Sequence, residues 1–144
     1  MKKRNGRQEV IRDIVRNESV KTQRALVEFL QARGFACTQA TVSRDIADMG
    51  LRKLPEGVYV LAEDLYLQRM VSELVTGAAR ANNIVVVNCQ SGTAQGVAAA
   101  IDDAALAGVL GSIAGDDTIM AVCQTDDDAR AFVSLVRKLR NVRE

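Results

Sequence analysis

Asp116 and Asp117 stand side by side after Gly115, between the apolar runs 109–114 and 118–123. Carboxylates set into a segment that otherwise builds core need a counter-charge, and the neighbouring sequence offers no basic residue. Gln95 and Asp102 lie seven residues apart, two helical turns, so on a helix they share a face. Asp103 is about 100° further round and points elsewhere, while Val97, Ala98 and Ile101 pack toward a sheet. If the 115–117 connection meets this helix, Asp102, Asp116 and Asp117 form a carboxylate cluster with Gln95 beside it. Like charges at close range raise one another's pKa unless a cation is bound. A guanidinium or ammonium ligand relieves that repulsion through charge-assisted hydrogen bonds, bidentate for guanidinium. Two other readings fit the same residues. Gly-Asp-Asp is good turn sequence, and carboxylates also hold Mg²⁺ or Ca²⁺, although no calcium-loop pattern is present.

A second set of residues has chemistry for nucleic acid. On a helix starting after Thr38, the stripe Val42, Ile46 and Met49 faces a core, which turns Ala40, Ser43, Arg44 and Ala47 outward, with Gln39 at the start. Arg bonds a guanine edge in two places and Gln does the same to adenine. Two alanines keep the face low enough to enter a major groove. Lys2, Lys3, Arg4, Arg7, Arg24, Arg52 and Lys53 are candidates to hold phosphates. The competing reading is a solvated helix face, favoured by the acids Asp45 and Asp48 that flank it.

The charge distribution separates the two sets. Residues 1–61 hold 12 Lys/Arg and 7 Asp/Glu, whereas residues 62–144 hold 7 and 11. A basic front suits phosphate backbones and an acidic back suits cations. The chain has no histidine, which removes the usual general base and the commonest metal ligand. No phosphate-cradling Gly-rich loop and no nucleophile–base pair is present, so an enzyme is not expected. Cys37, Cys89 and Cys123 are far apart, with no CxxC spacing, and read as small core residues rather than a zinc site or disulfide framework. Free thiols and no signal peptide point to the cytoplasm. No apolar run approaches the roughly 18 residues of a membrane span, so no membrane partner is expected.

The elements that must position these residues follow from periodicity. Helices are expected over 7–16 (Val10, Ile11, Ile14, Val15 inward), from Thr22 to Arg33 with Gly34 as the stop, and from Thr38 to Gly50. Two short strands, 51–54 and 58–62, follow around the turn Pro55-Glu56-Gly57. Three helices and a hairpin make a winged helix-turn-helix. An amphipathic helix is expected over 63–81, with Leu67, Met70, Val71, Leu74, Val75 and Ala78 on one side, ended by Asn82-Asn83. Beyond it the pattern reads strand 84–89, helix 93–106, strands 109–114 and 118–123, and helix 127–140. The fold class is α+β: an N-terminal winged helix-turn-helix domain (1–65), then a small α/β-sandwich oligomerisation domain (66–144) with helices on one sheet face. About 80 residues give a thin core, so burial against other subunits is expected.

At these residues the chain resembles the bacterial arginine repressor family over nearly its whole length. Thr38–Asp45, TQATVSRD, is similar to the family's recognition helix with its Ser-Arg pair. GTAQGVAAAID (92–102) and VLGSIAGDDTI (109–119) are similar to its ligand-site and oligomer segments. The resemblance implies a repressor of arginine biosynthesis genes that binds operator double-stranded DNA, with activation of arginine breakdown as a further output. It implies a homo-oligomer, trimers that pair into hexamers, and L-arginine as co-repressor where trimers meet, with no other cofactor. Carried over by motif, the arginine contacts are Gln95, Asp102, Ala114, Asp116 and Asp117. The candidate DNA contacts, read from the residues themselves, are Gln39, Thr41, Ser43 and Arg44 on the helix, with Arg24, Arg52 and Lys53 for phosphates. The family often has Thr where this chain has Ser112. The nearest rival is a winged-helix sensor of another cationic metabolite.

Overall fold

The computed structural model describes the backbone of residues 2–141 and the side chains of residues 6–140. The chain divides into two compact units, Met1–Ala62 and Glu63–Glu144.

The first unit holds α1 (Lys2–Asn17), α2 (Gln23–Ala32) and α3 (Gln39–Met49), then the two-residue strands β1 (Arg52–Lys53) and β2 (Tyr59–Val60). Its core gathers Ile11, Ile14, Leu26, Leu30 and Val42, all fully buried, with Tyr59 and Leu61 closing it from the hairpin. The helix ends obey the capping rules. Thr22 and Thr38 each accept a backbone N–H three residues on through the side chain, and Gly50 closes α3 in the left-handed region at φ 68°. That conformation costs glycine little and other residues more. The first helix begins earlier than its apolar stripe, because the stripe marks only the part that meets the core. The wing pairs antiparallel, Arg52 with Val60 and Lys53 with Tyr59.

The second unit begins with a single 3₁₀ turn and α4 (Leu65–Leu74), followed by β3 (Val75–Ala81), β4 (Ile84–Cys89), α5 (Ala94–Asp103), β5 (Val109–Ala114), β6 (Thr118–Cys123) and α6 (Asp126–Asn141). The four strands form one antiparallel sheet in the order β3-β4-β6-β5. α5 and α6 pack on one face, burying Val85, Val87, Cys89, Ile119, Ala121 and Cys123.

The expected helix over 63–81 is corrected here: it stops at Leu74, and residues 75–81 are a strand. Val75, Thr76 and Gly77 are weak helix formers in a row, and Ala78 to Ala81 find backbone partners along β4, with Ala81 opposite Ile84. Asn82-Asn83 is therefore a two-residue hairpin connection, with Asn82 at φ 55°, not a helix stop. Asparagine tolerates that conformation. The α5 helix is also shorter than expected, ending at Asp103 because Ala105 turns left-handed at φ 48°.

The start of α3 depends on one side chain. Thr38→Ala removes the Thr38 Oγ1 acceptor of the Thr41 N–H (3.2 Å). It is expected to destabilise the N-terminal unit by about 1 kcal/mol, with Thr38→Ser largely restoring it, read from urea melts. Equal midpoints for wild type and Thr38→Ala would remove the cap from the account.

Candidate functional site

The outward face of α3 is laid out as its stripe requires. Gln39, Ala40, Ser43, Arg44 and Ala47 are exposed, and Thr41 is half-buried, its hydroxyl 3.1 Å from that of Thr38. Arg24 on α2 and Arg52 and Lys53 on β1 are exposed as well. The Lys53 ammonium sits 5.4 Å from the centroid of the Tyr59 ring, a cation–π contact that steadies the wing strand.

Two expectations about this face change. Asp45 does not flank it as a repelling acid: it is buried, 1% exposed. Arg7 is not free for a phosphate. Its Nε donates to Asp45 Oδ2 at 2.5 Å and its NH2 to Asp45 Oδ1 at 3.1 Å, and Gln8 Nε2 adds a bond to Oδ1 at 3.2 Å. The hydrogen bonding to Asp45 holds the Arg7 guanidinium protonated even more firmly than usual, against the opposing effect of its burial. The side chains of Lys2, Lys3 and Arg4 lie outside the described residues.

In the second unit, the acidic pair is both a turn and part of the candidate site. Gly115 N–H donates to Thr118 O at 2.9 Å, leaving Asp116 and Asp117 as the two residues at the tip of the β5–β6 hairpin. This tip is pinned to the start of α5. The Asp116 carbonyl accepts the N–H groups of Gly92 (3.1 Å) and Ala94 (3.2 Å), and the Asp117 carbonyl accepts that of Cys89 (2.7 Å). Thr93 does not cap α5 with its own side chain; its hydroxyl donates instead to Gln90 O at 2.7 Å. The hairpin tip therefore satisfies an N–H that the helix start would leave unpaired. It also brings the backbone of Asp116 to the start of α5, a neighbour that the linear sequence conceals.

Gly92, Gln95, Gly115 and Asp116 line one open depression of about 400 Å³. Gln95 and Asp116 thus border the same depression, which Asp102 and Asp117 do not line. Asp102 lies two turns further along α5, a rise of about 10 Å, where Ser112 Oγ donates to its Oδ1 at 3.3 Å. Asp117 Oδ1 accepts from the Thr118 hydroxyl at 2.9 Å, and Ala114 is half-buried at the end of β5. The bond from Ser112 to Asp102 depends on the packing of β5 against α5, which no local spacing reports. Among the described residues, no three carboxylates or thiols come close enough together to hold a metal ion. The three cysteines are free. Burial pushes the Cys89 and Cys123 thiols up, helped by the charges of Asp117 and Asp128 respectively.

The sheet face opposite the helices is apolar and uncovered. Ile113 pairs with Met120, and Met120 with Val86. Leu110, Ile113, Met120 and Val122 are 68%, 72%, 46% and 39% exposed.

Residues 1–66 match the family model described as the arginine repressor DNA-binding domain, and residues 71–138 match that of the arginine repressor C-terminal domain. The chain belongs to the arginine repressor family. It is 43% identical over 123 residues to the arginine repressor of Halothermothrix orenii, covering 78% of this chain and 82% of the relative. It is 40% identical to that of Ruminiclostridium cellulolyticum, covering 90% and 93%, and 40% identical to that of Thermus thermophilus, covering 88% and 84%. The expected fold class is borne out: a three-helix N-terminal domain is followed by a four-stranded antiparallel sheet with helices. The family is one of transcriptional repressors, which is not a class of enzyme. Among the described residues no helix is long and apolar enough to cross a membrane.

Proposed function

We propose that the chain represses arginine biosynthesis genes in the cytoplasm, with L-arginine as its co-repressor held between subunits. The domain limits proposed for the two jobs are 1–65 for operator binding and 66–144 for arginine binding and assembly. The observation that carries this reading is the construction of the β5–β6 hairpin. Its outer face is apolar and exposed at Ile113 and Met120, and its tip carries Asp116-Asp117 beside Gln95. An apolar face of this kind on a small domain calls for a partner surface. A partner that covers it lies close to the acidic tip by connectivity alone, since Ile113 and Asp116 are three residues apart. A second copy of the chain is the natural partner, and trimers paired into hexamers are the arrangement the family resemblance implies.

The chemistry of the ligand half-site favours arginine. Gln95, Asp102, Ala114, Asp116 and Asp117 would supply acceptors along a row, with carboxylates for the guanidinium and α-amino groups. A guanidinium donates two parallel hydrogen bonds to one carboxylate, which an ammonium does not. Binding between subunits stabilises the assembled form by mass action. The assembled DNA-binding domains then engage paired half-sites at high effective concentration. Gln39, Thr41, Ser43 and Arg44 would read bases, and Arg24, Arg52 and Lys53 would hold phosphates.

Calorimetric titration of L-arginine, with L-lysine and L-citrulline as controls, tests the ligand. Arginine alone is expected to bind well. Citrulline keeps the shape without the charge, so equal citrulline binding would sink the carboxylate argument, and tighter lysine binding would favour a different cationic metabolite. Asp116→Asn and Asp117→Asn should each weaken arginine by about 1.5–3 kcal/mol. Ile113→Glu is expected to shift sedimentation toward the monomer; an unchanged oligomer distribution would locate the subunit contact elsewhere. Arg44→Ala should cost about 1–3 kcal/mol of operator affinity at fixed salt while leaving arginine binding intact. Unchanged operator affinity would mean that α3 is not the reading helix.

A further inference from the structure

Asp45 is the one carboxylate on α3 that is removed from water, at 1% exposure. It directly follows Arg44, which is exposed. Successive helix residues differ by about 100° in direction, so the two side chains leave the helix on different sides, one inward and one toward solvent. Burying a carboxylate is costly unless it is paired and hydrogen-bonded. Asp45 meets that condition with the two-pronged contact from Arg7 and the third bond from Gln8. The Arg7 side chain is itself only 17% exposed. These partners lie 38 and 37 residues away in sequence, so the contact ties α1 directly to α3.

We propose that Asp45 is a positioning residue for base reading, which fixes the rotation of α3 against α1 through Arg7 and so aims Arg44. The proposal rests on the DNA-binding reading above. Apolar contacts among Ile11, Ile14 and Val42 hold the helices together but are non-directional. A guanidinium fork on a carboxylate sets both a distance and a plane. A rotation of α3 by a few degrees would move the exposed Arg44 tip much further than it moves Val42 at the core, so a directional tie has most effect at the reading surface. The ion pair also reaches that surface: Arg7, Thr41, Arg44, Asp45 and Asp48 line one depression of about 170 Å³. Buried ion pairs often add little net stability, and their best-attested use is to select one arrangement over its near neighbours. The expected signature is therefore loss of base discrimination rather than loss of fold.

The test uses the full chain with L-arginine and two duplexes. One is enriched from a random pool by the wild-type protein, and the other is its scrambled version of equal length and composition. Affinities are measured across a range of salt. Asp45→Asn and Arg7→Gln are each expected to lower affinity for the enriched duplex at least tenfold. Affinity for the scrambled duplex should stay within twofold, and the slope of log affinity against log salt should not change. Arg7→Met combined with Asp45→Leu removes both charges without stranding either. It should keep the thermal midpoint near that of wild type and still lose discrimination. A slope reduced by about 0.9 in Arg7→Gln would mean that Arg7 contacts a phosphate instead, and the proposal falls. Equal losses on both duplexes would reduce Asp45 to a purely structural role, as would a discriminating double variant. If the wild-type protein enriches no duplex at all, the DNA-binding reading fails first and takes the proposal with it.

Discussion

The second unit depends on the backbone bonds that join the β5–β6 tip to the start of α5. The Asp116 carbonyl takes the N–H groups of Gly92 and Ala94, and these bonds do several jobs together. They close the helix start, which lacks a side-chain cap. They hold the strand pair β5–β6 at a set height along α5, so that Ser112 reaches Asp102. They also bring Asp116 to the depression that Gln95 lines. Loss of this joint would loosen the tip beside Gln95, while β6 stays held by its pairing with β4. Structural and candidate ligand roles therefore share one short segment, and the turn reading and the site reading of Gly-Asp-Asp describe the same residues.

In the first unit the counterpart is Asp45. Its neighbours on α3 divide between core and solvent by ordinary helical periodicity, but Asp45 breaks the pattern as a charged residue on the buried side. The break is tolerated because Arg7 and Gln8 arrive from α1 with complementary donors. The same contact withdraws Arg7 from the basic surface, leaving Arg24, Arg52, Lys53 and Arg44 as the exposed cations among those candidate contacts whose side chains are described. A sequence count of positive charge overstates what is available to a phosphate backbone wherever such a pair is internal.

Much of this organisation was legible in the residues. The helical stripes around Ile11, Leu26 and Val42, the caps Thr22 and Thr38, the stop at Gly50 and the strand-like apolar runs 84–89 and 118–123 each follow from short-range rules that act within a few residues. The error over 75–81 has the same origin. Leu67, Met70, Val71 and Leu74 set up a helical period, and Val75 and Ala78 extend it by chance. What overrides it is pairing with β4, which no local pattern reports until Asn82-Asn83 is read as a hairpin connection. The burial of Asp45 is hidden from local reading for a related reason. Its partner lies in another helix, and a carboxylate next to an exposed arginine looks solvated when only the wheel is considered.

The sequence by itself determined the element types outside 75–81, the basic and acidic halves, the exposed face of α3 and the apolar character of the hairpin, because each depends on side-chain chemistry at fixed local spacing. Only the tertiary structure decided which charges meet. It paired Arg7 with Asp45, brought Gln95 to Asp116, and placed Asp102 beside Ser112 two turns away. It also turned residues 75–81 into the edge strand of the sheet. These outcomes depend on contacts between segments distant in the chain, where the partner's position and direction, not its identity, settle what a residue does. Asp116 and Asp117, conspicuous as a pair of acids in an apolar stretch, acquire their setting from a helix start that the chain reaches more than twenty residues earlier.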